Sequence, residues 1–240
     1  MSDYRLSHQQ PNRGLIYDCR FNQNRTRFYW RNFEEPFLEN LFRKLAEKNS
    51  GEVLDFACGT GRISKILNKY FDDITGIDVS EEMLKEAIRV LPGAKFVCAD
   101  ITRAHISKKF KIIVAFRFFL NAQQELREEV CEKLSDMLEP GGILVANNHL
   151  RAESVNGRII SCARKLGLTR RNCLADENFE NMLHRHGFSF ERVFSFCRIP
   201  GAHKFPPVFP GLWLRLEKML GRWSIFEKLA EQRIYICYKN

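Results

Sequence analysis

Three carboxylates and a pair of glycines carry the most readable chemistry in this chain. Val53-Leu54-Asp55-Phe56-Ala57-Cys58-Gly59-Thr60-Gly61-Arg62-Ile63-Ser64 reads as a short buried strand, a glycine-rich turn and the start of a helix. Glycine lets the backbone bend sharply and approach a ligand closely. A helix N-terminus offers free N–H groups to an anion. The third glycine of the dinucleotide fingerprint is missing, with Ser64 in its place, and Asp55 sits just before the turn. A carboxylate there repels a pyrophosphate but suits a ligand with a cationic amine. Asp78 closes the next strand, where such folds place an acid on both ribose hydroxyls. Asp100 closes the third strand. Three acids at successive strand ends point to a nucleoside ligand with an amino-acid tail. The competing reading is helix capping, a role open to Asp78.

The elements that must hold these residues follow from apolar runs and their punctuation. Strands are expected at 53–56, 74–78, 95–99, 111–116 and 143–147. Helices are expected at 33–49, 60–70, 80–91 and 123–138, with Ser80 as an N-cap and Pro140-Gly141-Gly142 as a stop. Short apolar strands without alternation, separated by helices, mean a parallel sheet covered on both faces. Beyond residue 150 the expectation is helices near 151–166 and 176–185, a strand at 189–197, a Pro-rich loop, a helix from Leu212 to about Ala230, and a strand at 233–238. The fold class is therefore α/β, doubly wound, with an antiparallel edge. Residues 1–32 have no clean period and are expected to fold over the ligand as a lid. Residues 33–150 are expected to form the ligand-binding core, and 151–240 to complete the same domain.

The motif set resembles the class I S-adenosylmethionine-dependent methyltransferases. The likeness rests on Leu54 to Arg62, Gly76-Ile77-Asp78-Val79-Ser80-Glu81-Glu82-Met83-Leu84, Val97-Cys98-Ala99-Asp100-Ile101 and Leu138-Glu139-Pro140-Gly141-Gly142, in the family's order and spacing from about residue 33 to 150. It implies a Rossmann-like seven-stranded sheet with a reversed last strand. It also implies S-adenosylmethionine as cofactor. Asp55, Gly59 and Gly61 would then hold the methionine end and Asp78 the ribose, with Val79 and Met83 against the adenine. Asp100 would take the adenine amino group, with Ile101 beside it, and Ala57, Cys58, Arg62 and Phe116 complete the expected cofactor site. Lys111 stands where the family has an acid, at a position remote from the ligand rim. The chain looks most like the bacterial small-molecule enzymes of the group, some of which modify sugars or lipid-linked glycans.

Methyl transfer from a sulfonium is an in-line displacement, so the protein must chiefly align the nucleophile. It adds a base where the nucleophile is a hydroxyl. The ends of the fourth and fifth strands supply the candidates. His149 is the best-placed base, against the alternative of a hydrogen-bonded structural histidine. Asn121 either orients a substrate hydroxyl or caps the next helix. Arg117 either binds an anionic substrate group or pairs with an acid such as Glu125. Tyr17, Tyr29, Trp30 and Arg31 are candidates for the acceptor pocket.

Composition narrows the rest. The 240 residues carry a net charge of +9, with +4 on residues 1–32 and +5 on 198–240. A basic surface attracts phosphate, nucleic acid or an anionic membrane face. An RNA methyltransferase is thus the enzymatic alternative, although nucleic acid is the less favoured partner. No Pro-Pro-aromatic tetrapeptide follows the fourth strand and no Pro-Cys pair exists. A cofactor-binding scaffold is the non-enzymatic alternative. Eight scattered cysteines without a C-x-x-C pair read as reduced core residues, and no metal site is expected. With no apolar run behind the first residues, the expected compartment is the cytoplasm. Leu212, Leu216, Met219, Leu220 and Trp223 recur at helical spacing with Arg and Lys between them. The first expectation is a helix packed on the sheet. The second is an interfacial helix bringing 205–230 to an anionic membrane. The expected acceptor is a small molecule or a lipid- or glycan-linked one; the sequence is silent on oligomeric state.

Overall fold

Burial on both sides explains why the central strands are apolar without a period. Val53–Phe56 (β1) is buried at all four positions, as is nearly all of Phe110–Ala115 (β4). A computed structural model of the chain describes residues 4–6, 8–23, 26–169, 171–199 and 210–240. After a short 3-10 turn, Tyr4–Leu6, come helices Arg13–Gln23 (α1) and Thr26–Tyr29 (α2), a π-helical turn Trp30–Glu34, and Glu35–Lys48 (α3). The chain then alternates through β1, Arg62–Leu67 (α4), Ile74–Asp78 (β2), Glu81–Val90 (α5), Lys95–Cys98 (β3), β4, Gln124–Met137 (α6) and Leu138–Asn148 (β5). Val155–Lys165 (α7), Asp176–Arg185 (α8), Phe188–Phe196 (β6), Pro210–Leu220 (α9), a 3-10 turn Ser224–Leu229 and Gln232–Lys239 (β7) finish it.

The seven strands form one sheet in the order β3-β2-β1-β4-β5-β7-β6. The first five run parallel, and β7 lies antiparallel to both β5 and β6. This is the Rossmann-like doubly wound sheet expected, with its reversed strand. The pleat sends alternate residues to opposite faces. Ile112 and Val114 join α3 and α4 in one apolar layer, while Ile113 and Ala115 join α6 and α8 in the other. The loops on the carboxyl edge of β1, β2 and β4 are therefore carried on a two-sided core, with the more exposed β3 at the sheet's edge beside them.

Three expectations need correcting. The first 32 residues are more helical than their composition suggests: α1 docks on α5 so closely that a Cβ on Gly14 would lie 2.5 Å from the carbonyl oxygen of Glu82. The helix expected from Leu212 to Ala230 stops at Leu220, and a turn at Gly221 leads into the separate 3-10 turn. Nor does α9 turn its apolar stripe inward. Its buried side chain is Glu217, at 3% exposure, while Leu212, Leu216 and Met219 face solvent. Residues 205–209 of the segment expected to meet a membrane lie outside the described residues.

Candidate active site

The turn after β1 is built by backbone geometry that its sequence permits. Ala57, Gly59 and Gly61 all take positive φ, at 53°, 56° and 78°. At Gly61 a Cβ would sit 3.1 Å from the Cβ of Ala87, so the glycine also lets α4 start hard against α5. A Cβ on Gly59 would lie 3.3 Å from Met83 Cε, at the floor of the cavity. The Gly59 N–H donates to Asp78 Oδ2 at 2.8 Å, and the Ser80 N–H donates to Asp78 Oδ1 at 2.9 Å. The second strand-end acid thus fixes the turn of the first and the cap of the next helix together.

A cavity opens on this edge of the sheet. Asp55, Ala57, Cys58, Gly59, Arg62, Asp78, Val79, Met83, Asp100, Ile101 and Phe116 all line it. Gly61, expected among them, does not; its part is the close packing just described. Burial pushes the Asp55 carboxyl up to about 7, with the neighbouring Asp78 charge adding to the rise and the Ser64 hydroxyl, which donates to Asp55 Oδ2 at 2.5 Å, working against it. Burial also raises Asp78, against the N–H donors that favour its charged form. The cavity is therefore rimmed by acids that gain from a cationic guest.

The N-terminal segment closes the opposite wall, and little of this was visible in the sequence. Tyr4, Arg5, His8, Tyr17 and Trp30 line the cavity with Thr60, Phe118, Leu126 and Val130. The Arg5 guanidinium donates to Asp100 Oδ2 at 2.7 Å, to Thr102 Oγ1 at 2.8 Å and to Glu129 Oε2 at 2.8 Å. The Ser80 hydroxyl donates to the His8 carbonyl at 2.5 Å, and the Thr60 hydroxyl to Asp18 Oδ1 at 2.7 Å. The Tyr4 ring meets Phe118 edge-on at 5.9 Å. Asp100, the acid expected for an adenine amino group, thus already carries a charge-assisted contact from the N-terminus.

Beyond Asp55 the cavity becomes aromatic and cationic. The Arg62 guanidinium lies 3.2 Å over the Phe21 ring, 5.3 Å from Trp30 and 5.6 Å from Tyr17. Burial lowers its pKa, and the nearby Arg117 charge adds to that, while Asp18 stands 4.0 Å away. Arg117 pairs with Glu34 at 3.1 Å, not with Glu125. Burial disfavours the Arg117 charge, but Glu34 and Tyr17 outweigh it and raise the pKa. Arg117 also holds φ at 61°, a strained conformation for a long side chain, with its N–H donating to Asn147 Oδ1 at 2.7 Å. Arg117, just past the end of β4, lines the cavity.

Three candidates lie off the cavity, and a fourth is engaged within it. Asn121 lines the cavity, but its amide donates to the Arg117 carbonyl at 2.6 Å and closes the turn before α6. His149 does not line the cavity. Burial, with Arg117 nearby, lowers its pKa to about 3, and its enclosed Nδ1 has no hydrogen-bond partner among the described residues. A group that weakly basic is a poor acceptor for a substrate proton. Tyr29 packs in a separate cluster with Cys197. Arg31 lines an adjoining cleft rather than the cavity. Helix and strand neighbours were readable at these positions, but side-chain direction was not.

With this geometry in hand, comparisons with known proteins fall into place. The profile of a family described as "Methyltransferase domain" matches residues 53–142. The dTDP-3-amino-3,4,6-trideoxy-alpha-D-glucopyranose N,N-dimethyltransferase of Streptomyces venezuelae is 33% identical over 99 residues, covering 40% of this chain and 41% of that protein. The trans-aconitate 2-methyltransferase of Yersinia pseudotuberculosis is 28% identical over 156 residues, covering 59% of this chain and 57% of that protein. The aligned part thus spans about half the length of these relatives. Among solved structures, the N-methyltransferase NodS from Bradyrhizobium japonicum, in complex with S-adenosylhomocysteine, superposes with a TM-score of 0.60 at 15% identity, over 92% of this chain and 90% of that one. That last likeness is one of fold.

Proposed function

We infer, from the premise that residues 53–142 belong to the methyltransferase-domain family and carry the class I S-adenosylmethionine-dependent fold, that the chain methylates an oxygen or nitrogen of a small acceptor bearing an anionic group. One observation carries the cofactor half. The glycine-rich turn and Asp55, Asp78 and Asp100 surround one cavity. Those residues fit S-adenosylmethionine: a side chain at Gly59 would crowd the floor, and the buried acids suit a molecule with an ammonium, a sulfonium and a ribose. When bound, that molecule supplies a methyl group on a good leaving group. Asp78 would bind the ribose hydroxyls, Asp55 the ammonium side, and Arg62 with the N-terminus of α4 the carboxylate.

The acceptor half rests on Arg117, Tyr17, Trp30 and Phe116, which border the cavity beyond Asp55. A guanidinium recognises carboxylate or phosphate by paired hydrogen bonds. The names of the relatives support the same reading, since one concerns a nucleotide-linked sugar and the other a tricarboxylate. With His149 absent from the cavity lining, the reaction depends on alignment rather than on a strong base. An amine or carboxylate acceptor suits such a site.

Labelled methyl transfer into a cell extract, followed by anion exchange, tests this. Label is expected in a small anionic fraction, and label confined to neutral metabolites or RNA would reject the anionic acceptor. Arg117→Lys keeps a charge beside Glu34 but loses the planar fork. It is expected to raise the acceptor KM about tenfold, a loss of about 1.4 kcal/mol, with cofactor affinity unchanged.

Asp55 gives a pH signature. Its folded pKa of about 7 lies above the ordinary 3.8. The fold therefore prefers the protonated form, and that contribution to stability is complete below about pH 4, declines from there to 7 and is gone above it. Cofactor binding runs the other way, because only the ionised carboxylate attracts an ammonium. Affinity should rise up to about tenfold between pH 6 and 8, and Asp55→Asn should flatten the profile. An unchanged slope in the variant would remove Asp55 from the ammonium.

A further inference from the structure

Helix α9 inverts the usual amphipathic arrangement. A surface helix of a globular protein normally turns its apolar stripe to the core. Here the anchor is polar. Both carboxylate oxygens of Glu217 accept the Arg198 N–H, at 2.8 and 3.0 Å, and Oε2 also accepts the Ile199 N–H at 3.3 Å. Trp213 packs beside them against the Tyr29 and Cys197 cluster. The outward face carries Leu212, Leu216 and Met219 at 54%, 37% and 50% exposure, followed by Trp223 at 63% and Ile225 at 69%.

At about 100° per residue, Leu212, Leu216 and Met219 fall within an arc of about 60°. Arg215 and Lys218 lie on one flank of that arc, and Arg222 follows in the turn after the helix, all exposed. Contiguous apolar exposure of this kind marks an interaction surface. The charges select the partner. A second copy docking face to face with its helix antiparallel would bring the basic flank of each chain towards that of the other, at a cost in repulsion, and a parallel copy would leave both flanks unpaired. An anionic bilayer takes the same surface without that conflict: the apolar stripe enters the interface, Trp223 sits at headgroup level, and the basic flank meets lipid phosphate and carboxylate.

We propose that α9 and the turn after it dock the protein peripherally on an anionic phospholipid surface. The contact does not depend on the catalytic reading. No helix among the described residues is long and apolar enough to cross a membrane, so the attachment is superficial. Its location bears on the acceptor all the same. Trp213 packs against Tyr29, whose neighbour Trp30 lines the cavity, so the acceptor wall stands one layer behind the docked helix.

Flotation of the full chain with phosphatidylcholine vesicles, with and without phosphatidylserine at about one third of the lipid, tests the proposal. Co-flotation is expected with the anionic vesicles and about tenfold less with phosphatidylcholine alone, and about 0.5 M salt should weaken it. Two exposed-site variants, L216S/M219S and R215Q/R222Q, should each reduce anionic-vesicle binding about tenfold while leaving the melting temperature and S-adenosylmethionine affinity unchanged. Trp223 emission should shift to the blue on binding. Failure of the wild type to float with anionic vesicles would overturn the proposal, as would binding that survives both variants. A concentration-dependent dimer abolished by L216S/M219S would assign the face to a second copy and overturn it equally.

Discussion

Asp78→Ala is expected to weaken S-adenosylmethionine and S-adenosylhomocysteine equally, by about 100-fold each in titration calorimetry. The size follows from what the carboxylate does. It closes β2 at the cavity, held by N–H donors from Gly59 and Ser80. Those two bonds leave lone pairs for a pair of ribose hydroxyls. A hydrogen bond to a charged group contributes about 1.5–3 kcal/mol, so losing two costs roughly 3 kcal/mol. That is about two decades in Kd. Equality between the two ligands is the sharper part, because the ribose is common to both and the methyl is not. Asp78→Asn keeps the shape and one acceptor oxygen, and should lose about tenfold. A larger loss for the sulfonium ligand would move Asp78 from the ribose to the charge. Wild-type affinity in the alanine variant would remove it from the site.

The second large effect is on stability. Asp176 opens α8 and is 6% exposed, yet it gathers five donors. Arg151 reaches it through Nε at 2.6 Å and through a second nitrogen at 2.5 Å, Arg233 at 3.1 Å, the Tyr235 hydroxyl at 3.0 Å and the Asn148 amide at 3.2 Å. Arg151, itself 3% exposed, also donates to the Ala230 carbonyl at 2.7 Å. This hub ties the end of β5 to α8 and to β7. Removing one partner of a buried ion pair strands the other charge and typically costs 3–5 kcal/mol. Asp176→Ala should therefore lower unfolding free energy by about 4 kcal/mol in denaturant titration. Asp176→Asn, which keeps an acceptor, should lose roughly half as much. A loss below about 1 kcal/mol would mean that water replaces the carboxylate at the hub.

The glycine-rich side of the cavity was readable in the chain because it is local. Asp55, Gly59 and Arg62 lie within one strand-turn-helix unit, Asp78 ends β2, and Asp100 follows shortly after β3. For the opposite wall the sequence suggested only a lid from residues 1–32; the pairings that hold it were not readable, because the partners meet across the chain. Arg5 finds Asp100 over 95 positions and Arg117 finds Glu34 over 83. Nothing in the local pattern of either segment encodes that pairing. The Asp176 hub escaped for the same reason. His149 differs: it follows β5 directly, as expected, but it does not line the cavity. For α9 the period was legible and its inside was not. Apolar spacing says that a helix has two faces, and only the anchoring of Glu217 says which one is hidden.

The threading of the last strands has a consequence for how the protein is made. Strand β6 emerges from the ribosome before β7, yet β7 lies between it and the rest of the sheet. Until β7 arrives, β6 has no strand to pair with, so both edges of its backbone, in a segment carrying Phe188, Phe190, Phe194 and Phe196, stand open. Closure then waits on the pairing of β7 with β5 across about 90 residues, a slow class of contact. The nascent chain thus passes through a state in which a long aromatic edge invites chaperones or neighbouring chains, and synthesis at lower temperature with abundant chaperone is the condition under which this protein should accumulate in soluble form.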